Sequence, residues 1–363
     1  VGVQKVSSVG VQQVSAFSDY VLQSKRLHTP HQHGTGCTFA SALAAVLAQG
    51  YDLADAMVVA RAYLQQALRL GYATGQGAGS LGHAGWPLQT ADFPALIMTA
   101  ELAAQPALPQ AALPQAIELD AVSHVPDRQL SAQISDSAAS LDLTPAWQFA
   151  KLRHPLGLYP VVDDIQWLTR LLPLGLSTIQ LRLKQLPQAE LERQIAQAIR
   201  YCRDFDIQLF INDHWQLAIK YQAFGVHLGQ EDLAEADLAA IAKAGLRLGI
   251  STHGYAELAK VMPMQPSYLA LGHVFATQTK QMPSQPQGLQ RLAHYVKLCG
   301  DIPTVAIGGI KLEHIANVLA TGVQGIAVVS AITQAPEPEK ALLQLKQACQ
   351  RGATFQGELY GAI

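Results

Sequence analysis

Polar residues that could hold an anion recur in the second half of the chain, each at the end of a short apolar run. Gln180, Arg182 and Lys184 lie in one such run, TIQLRLK, and strand alternation predicts that all three share one face. Two cations and an amide facing a fold interior need an anion, because burying unpaired charge is costly. The pattern favours a bound phosphate; the alternative is that Arg182 and Lys184 pair with Asp213 or Asp232 and only stabilise the fold.

Two carboxylates, Asp213 and Asp232, end the next two apolar runs, LFIND and GVHLGQED. If these runs are neighbouring parallel strands, the two carboxylates can converge on one ion. Mg2+ is usually held by one or two carboxylates, with phosphate oxygens and water completing its coordination. The sequence therefore predicts a Mg2+ site, although IND and GQEDL are also ordinary helix N-cap signals.

The later runs end in small or polar residues that are suited to binding phosphate: Ser251 and His253, then Gly308 and Gly309, then Ser330. Paired glycines let the backbone approach an anion, and a serine hydroxyl can donate to it. Between the sixth apolar run and the next predicted helix lies the long segment GHVFATQTKQMPSQPQG, in which Thr277, Thr279 and Lys280 predict a loop that closes over a phosphate. The alternative is a solvated surface loop.

The elements that must position these residues form a repeating pattern. Eight apolar runs alternate with segments of helical spacing, such as QAELERQIAQAIRYCRDF and LQRLAHYVKLCG. This pattern predicts a (β/α)8 TIM barrel, whose active site lies where the carboxyl ends of the strands meet. A doubly wound open sheet is the alternative. We expect residues 151–350 to form the barrel and residues 351–363 a tail.

Residues 1–100 have a different organisation, with two predicted helices over 38–49 and 53–70, each followed by a glycine. Residues 101–150 mix Pro, Gln, Ala and Ser without sustained periodicity, which predicts a linker. The chain starts at Val1 rather than Met, so we expect it to begin inside a longer reading frame.

The composition excludes several classes of partner. Charged residues make up 14% of the 363 residues and the formal net charge is -2, so no charge pattern favours nucleic acid or an anionic membrane. No apolar run reaches the roughly 18 residues of a membrane span, and no signal peptide opens the chain. Four cysteines without a CxxC pair predict reduced thiols. We expect a cytoplasmic protein that acts on small molecules; homo-oligomer formation stays open.

With these motifs in view, the second half of the chain resembles the thiamine-phosphate synthase family. The motifs are QLRLK, IND, GVHLGQEDL, LGISTH, YLALGHVFATQTK, VAIGGI and GIAVVSAI, in family order over residues 155 to 345. The resemblance implies a pyrimidine diphosphate at Gln180, Arg182, Lys184, Asn212 and Lys280, Mg2+ at Asp213 and Asp232, a thiazole phosphate at Thr277, Thr279, Gly309, Val329 and Ser330, and Ser251 near the departing diphosphate.

The first hundred residues resemble the end of hydroxymethylpyrimidine and phosphomethylpyrimidine kinase, a ribokinase-like α/β enzyme. The motif is TPHQHGTGCTFASALAA, where Gly34 and Gly36 would form an anion hole and Cys37 stands at the family's catalytic position. The family's other substrate-binding residues would have to precede Val1. We therefore expect an incomplete fragment with a vestigial site and no kinase activity.

The resemblance to the synthase implies a reaction without a protein nucleophile. Mg2+ with Arg182, Lys184 and Lys280 would neutralise the leaving diphosphate while the thiazole nitrogen attacks the pyrimidine methylene carbon. This half of the sequence has no Ser/His/Asp or Cys/His constellation, in agreement with that chemistry. Two other functions remain open: another phosphate-binding barrel such as an isomerase or aldolase, and a non-catalytic regulatory or scaffolding protein.

Overall fold

The computed structural model describes residues 20–98, 147–277 and 285–360, the side chains of 352–360 excepted. The chain divides into two compact units, the first drawn from residues up to 144 and the second from residues 145 onward together with 88–90. None of the described helices is both long and apolar enough to cross a membrane. The four cysteines are free thiols, of which Cys202 and Cys299 are buried.

The first unit contains two helices and a two-stranded antiparallel sheet. The strands are β1 (Tyr20–Gln23) and β2 (Ala95–Met98), and the helices are α1 (Thr35–Ala48) and α2 (Leu53–Arg69). Asp52 caps α2 by accepting a hydrogen bond from the Asp55 backbone nitrogen at 2.8 Å, which satisfies one of the free amides of the first turn. The two predicted helices are therefore present, within three residues of the expected bounds.

The two helices differ in how much of their surface is covered. Much of α2 is buried, whereas α1 buries only Thr38 and Val46 and leaves Leu47 39% exposed. The apolar sequence of α1 thus lacks cover among the described residues. Gly50, with a φ of 78°, ends α1 in the left-handed conformation that glycine adopts without strain.

The second unit is a closed barrel of parallel strands, as the sequence predicts, and the doubly wound alternative is wrong. Each strand pairs with the next along the chain, and the last pairs with the first. The strands are β3 (Gly157–Val162), β4 (Thr178–Leu181), β5 (Gln208–Asn212), β6 (Gly225–Leu228), β7 (Arg247–Thr252), β8 (Tyr268–Leu271), β9 (Thr304–Ala306) and β10 (Gly325–Val328).

Helices follow the strands and cover the outside of the barrel. They are α3 (Gln166–Leu171), α4 (Gln188–Asp204), α5 (Trp215–Lys220), α6 (Gln230–Glu235), α7 (Leu238–Lys243), α8 (Tyr255–Val261), α9 (Gly288–Cys299), α10 (Ile315–Leu319), α11 (Ser330–Thr333) and α12 (Pro338–Tyr360). The helical spacing of the two segments quoted above thus gives α4 and α9. Helix α12 continues beyond residue 350, where we expected the tail to begin.

Aromatic residues fill the barrel interior. Tyr159, Phe210 and Tyr268 come from three different strands, with ring centroids 4.9 to 5.9 Å apart, and each is at most 1% exposed. Gly249 on β7 makes room for one of these rings, because a Cβ there would lie 2.2 Å from Tyr268 Cζ. The interior is therefore a packed core, as in other barrels of this size.

Candidate active site at the carboxyl end of the barrel

The described candidate residues lie at or after the carboxyl ends of barrel strands. Because all strands are parallel, these ends meet at one mouth of the barrel. The residues are Arg182 and Lys184 after β4, Asn212 and Asp213 at the end of β5, Asp232 after β6, Ser251 on β7, Thr277 after β8, Gly309 after β9, and Val329 and Ser330 after β10. Thr279 and Lys280 lie outside the described residues.

The structure brings two carboxylates together at this mouth. The Asp213 side chain is hydrogen-bonded to Asp232, and burial and the nearby Asp232 raise the pKa of Asp213 to about 6, against the lowering effect of Arg182 and His214. Two carboxylates can share a hydrogen bond only when one holds a proton. The described residues contain no cluster of three or more acidic, histidine or cysteine ligands. A pair of this kind suits a hard divalent cation that takes its other ligands from a substrate and water.

The backbone around these carboxylates excludes the N-cap interpretation. Asp213 has a φ of 64°, and its backbone nitrogen donates to the carbonyl oxygen of His227 at 2.9 Å. Helix α5 is capped by His214, and α6 by Gly229, in neither case through a side-chain hydrogen bond. Asp213 therefore adopts an uncommon conformation for a residue other than glycine without serving as a helix cap, a form of local strain that is concentrated at functional sites.

Strand β4 is shorter than the sequence predicts, so only part of the expected alternation holds. It ends at Leu181, and Arg182 and Lys184 lie in the following loop, where the Arg182 backbone nitrogen still donates to the Val162 carbonyl at 2.7 Å. Arg182 is partly buried and Lys184 is exposed. Among the described residues neither cation forms an ion pair, so they do not stabilise the barrel by salt bridges to carboxylates. Arg182 nevertheless lies close enough to Asp213 to lower its pKa.

Gln180 and Asn212 are deeper in the barrel than the charged residues. Gln180 is 4% exposed and donates through Nε2 to the hydroxyl of Tyr159 at 3.3 Å, while Asn212 is 6% exposed and pairs in register with His227. Both amides thus lie at the floor of the mouth.

Sequence reasoning missed the two tyrosines beneath this floor. Tyr159 and Tyr268 share a hydrogen bond of 2.8 Å, and Tyr268 contacts His227, which in turn contacts Ser251. Burial and the nearby Arg182 lower the pKa of His227 to about 3, and burial raises the pKa of both tyrosines. The available signal was a tyrosine in each of two otherwise apolar strands, where a buried hydroxyl needs a partner.

The paired glycines allow the long loop after β8 to approach the loop after β9 closely. Gly308 and Gly309 have φ values of 104° and 64°, and the Phe275 backbone nitrogen donates to the Gly308 carbonyl at 3.0 Å. A Cβ at Gly309 would lie 2.4 Å from the carbonyl oxygen of Ala276. Any side chain at Gly309 would therefore push away the backbone that leads to Thr277. Val329 precedes α11 and Ser330 opens it.

The GTGC motif of the first unit lies at the start of α1. Gly34 has a φ of 87° directly before the helix, and Cys37 is exposed. A cavity of about 560 Å³ beside Cys37 is lined mainly by apolar and aromatic residues, including Tyr63 and Trp86. No Asp, Glu, Lys or Arg lines this cavity within the described part of the unit.

A (β/α)8 barrel that gathers a carboxylate pair, cations and hydroxyls at its catalytic mouth defines an enzyme for a charged, phosphate-bearing substrate. Comparison with known proteins makes this specific. Residues 158–332 match the family model of thiamine monophosphate synthase, and residues 11–82 match that of phosphomethylpyrimidine kinase.

Curated relatives give the same result for the barrel. It is 57% identical over 199 residues to a thiamine-phosphate synthase of Serratia proteamaculans, covering 55% of this chain and 94% of the relative. It is 62% identical over 189 residues to that of Cronobacter sakazakii, covering 52% and 90%. Among solved structures, a thiamine phosphate pyrophosphorylase from Pyrococcus furiosus is 30% identical, covering 54% of this chain and 96% of that chain, with a TM-score of 0.49. The chain belongs to the thiamine-phosphate synthase family, and its first unit matches part of the phosphomethylpyrimidine kinase model, as both resemblances predict.

Proposed function

We propose that the barrel joins hydroxymethylpyrimidine diphosphate to hydroxyethylthiazole phosphate, giving thiamine phosphate and diphosphate. The observation that supports this most is the Asp213–Asp232 pair beside Arg182 at the catalytic mouth. A carboxylate pair next to a cation suits a metal-bound diphosphate, and the family name of the relatives supplies the reaction. The substrates are small molecules, and we place the reaction in the cytoplasm.

Asp213 and Asp232 would hold Mg2+. The donor set fits, because two hard carboxylates lie side by side, and burial together with the nearby Asp232 raises the pKa of Asp213, a repulsion that a divalent cation would relieve. When bound, the metal ion would stabilise the negative charge that develops on the departing diphosphate.

The protein's own residues bind and orient the two substrates. Arg182, Lys184 and Lys280 would neutralise the diphosphate, Gln180 and Asn212 would bind the pyrimidine end, and Ser251 would donate a hydrogen bond near the bond that breaks. The thiazole phosphate would be held by Thr277, Thr279, Gly309, Val329 and Ser330. The bond from carbon to the diphosphate oxygen breaks as the thiazole nitrogen bonds to that carbon. The protein contributes positioning and electrostatic stabilisation, and no covalent intermediate is needed.

The test is a turnover assay with purified full chain. Both substrates are incubated with the protein in Mg2+ and, separately, in EDTA, and thiamine phosphate is measured by chromatography. We expect thiamine phosphate to form in Mg2+ but not in EDTA. None should form when either substrate is omitted. Product that forms equally in EDTA would remove the metal from the proposal, and no product under any condition would favour a regulatory or scaffolding role.

A further inference from the structure

A chain of hydrogen bonds crosses the barrel interior and joins two of the proposed substrate-binding residues. Gln180 Nε2 lies 3.3 Å from the Tyr159 hydroxyl, which lies 2.8 Å from that of Tyr268. Tyr268 contacts His227 Nδ1 at 2.7 Å, and His227 Nε2 contacts Ser251 Oγ at 2.8 Å. The first four side chains are at most 6% exposed. The five residues come from five different strands, so the chain spans the barrel.

The donor at one end sets the direction of every bond. The Gln180 amide nitrogen can only donate, so the Tyr159 oxygen accepts from it, and the Tyr159 hydrogen is left for the Tyr268 oxygen 2.8 Å away. The Tyr268 hydrogen then goes to His227 Nδ1, and the proton of the neutral ring is on Nε2, from which it is donated to Ser251. In the opposite direction the Tyr159 hydroxyl would face the Gln180 amide nitrogen, which cannot accept, so its buried hydrogen would lose its partner.

The consequence falls on Ser251. Its oxygen accepts from His227, so its own hydrogen points elsewhere and can be donated to a ligand in the mouth. Its carbonyl oxygen also accepts from Gln230 Nε2 at 2.8 Å, which fixes the backbone of the same residue. A hydroxyl held in this way offers a donor of fixed direction, which costs no reorganisation when charge develops on a nearby oxygen.

We propose that His227 is a positioning residue for the reaction, which through Nε2–H holds Ser251 as an oriented donor, and that Tyr159 and Tyr268 hold His227 in the required tautomer. This inference rests on the proposed function, because it concerns the substrate bound beside Ser251. It assigns His227 no contact with the reacting atoms. The two buried tyrosines become part of the active site although they are core residues by position.

The kinetic test compares two amides at position 227. In His227→Gln the amide nitrogen can reach the place of Nε2, whereas in His227→Asn it can reach only that of Nδ1. We expect His227→Gln to keep kcat within about 10-fold of wild type, and His227→Asn to lower it about 100-fold with KM changed less than about threefold. Equal kcat values for the two variants, or a loss confined to KM, would overturn the positioning role.

The role of the tyrosines is tested against a buried tyrosine that lies outside this series of hydrogen bonds. Tyr268→Phe removes the donor to Nδ1 and should lower kcat about 10-fold. Tyr255, also fully buried, packs on Tyr295 between α8 and α9, and Tyr255→Phe should leave kcat within about twofold when both variants are compared at equal folded fraction. Equal effects of the two substitutions would contradict the proposal.

A spectroscopic measurement on the wild-type protein does not depend on whether the variants fold. In 15N NMR of the wild type at neutral pH, with the His227 ring signals assigned by through-bond correlation to its own backbone, we expect a protonated Nε2 and an unprotonated Nδ1. A protonated Nδ1 in an active enzyme would overturn the positioning role alone. A wild-type protein without synthase activity would instead overturn the proposed function.

Discussion

The GTGC motif of the first unit and the mouth of the barrel both carry residues suited to binding phosphate. Only in the barrel do these residues come together from several structural elements. In the first unit the motif opens α1, which is poorly covered, beside a cavity lined mainly by apolar and aromatic side chains. In the barrel, Arg182, Asp213 and Asp232 come from three successive strand ends and interact with one another, and Ser251 lies on the next strand. A motif becomes a site when separate elements converge on it, because catalysis depends on positioning.

The largest expected effect is loss of the carboxylate pair. Asp213→Ala or Asp232→Ala should lower kcat/KM by about 10³-fold or more, since metal-ion charge stabilisation is worth several kcal/mol. The matched control is Glu231→Gln, an exposed carboxylate in the same first turn of α6, which should change kcat/KM less than about twofold. If either aspartate variant retains near-normal turnover in the assay, that residue does not hold the metal.

A smaller effect is expected from the partly buried cation beside the pair. Arg182→Gln should lower kcat/KM about 100-fold, because a donor aimed at developing charge typically contributes 10² to 10³-fold. Arg200→Gln on the exposed face of α4 serves as the control for loss of a positive charge. Arg182→Gln kinetics equal to those of the control would remove Arg182 from the diphosphate site.

The third prediction concerns stability rather than rate. The pKa of Asp213 is raised from its ordinary 3.8 to about 6, so between these values the folded metal-free protein holds a proton that the unfolded chain has released. Stability in EDTA should therefore fall as the pH rises from about 4 to about 6, and Asp213→Asn should remove that fall and be about 1 kcal/mol more stable at pH 8.

Thermal unfolding in EDTA and in Mg2+ at pH 5 and pH 8 measures this effect. Saturating Mg2+ should raise the Tm of the wild type at pH 8 and do so less at pH 5, where the proton competes with the metal, and it should have no effect on Asp213→Asn. An Asp213→Asn protein that is less stable than wild type at pH 8 in EDTA would show that the carboxylate has another stabilising partner.

The smallest effect is expected in the first unit. Cys37→Ala should leave synthase activity within about twofold of wild type, and neither protein should form hydroxymethylpyrimidine phosphate from ATP. A phosphoryl-transfer site holds donor, acceptor and metal in line, which requires groups from several elements. ATP-dependent formation of that product by the wild type, abolished in Cys37→Ala, would remove the difference between the two regions.

The barrel was predictable because its signal is repeated. Eight apolar runs, each followed by polar residues, specify parallel strands and their active end together, and the carboxylates followed from the ends of two of those runs. The loops were less predictable. The alternation in TIQLRLK suggested a strand through Lys184, whereas β4 ends at Leu181 and leaves Arg182 in a loop beside Asp213. Where a strand stops depends on its neighbours. Val162 is the last residue of β3, and its carbonyl accepts the backbone hydrogen bond of Arg182, just after the end of β4.

The interior hydrogen bonds were not predictable from the sequence. Tyr159, Tyr268 and His227 are far apart along the chain, and their contacts depend on strand register and on the space that Gly249 leaves for the Tyr268 ring. Similarly, a glycine pair at 308–309 suggested an anion site, and the structure gives the pair a further use in admitting the backbone of Phe275 and Ala276. The alternation of residues along a strand predicts which face of the sheet a side chain lies on, but its hydrogen-bond partner depends on packing.

The pairing of β10 with β3 has a consequence for how the protein is made. The last strand of the barrel closes against its first, so β3 has an unpaired edge until β10 has left the ribosome. Such an edge can pair with another chain, and contacts between distant segments form slowly. We therefore expect the nascent barrel to be the stage most prone to aggregation, and truncation before Gly325 to yield insoluble protein although every proposed substrate ligand except Val329 and Ser330 would be present.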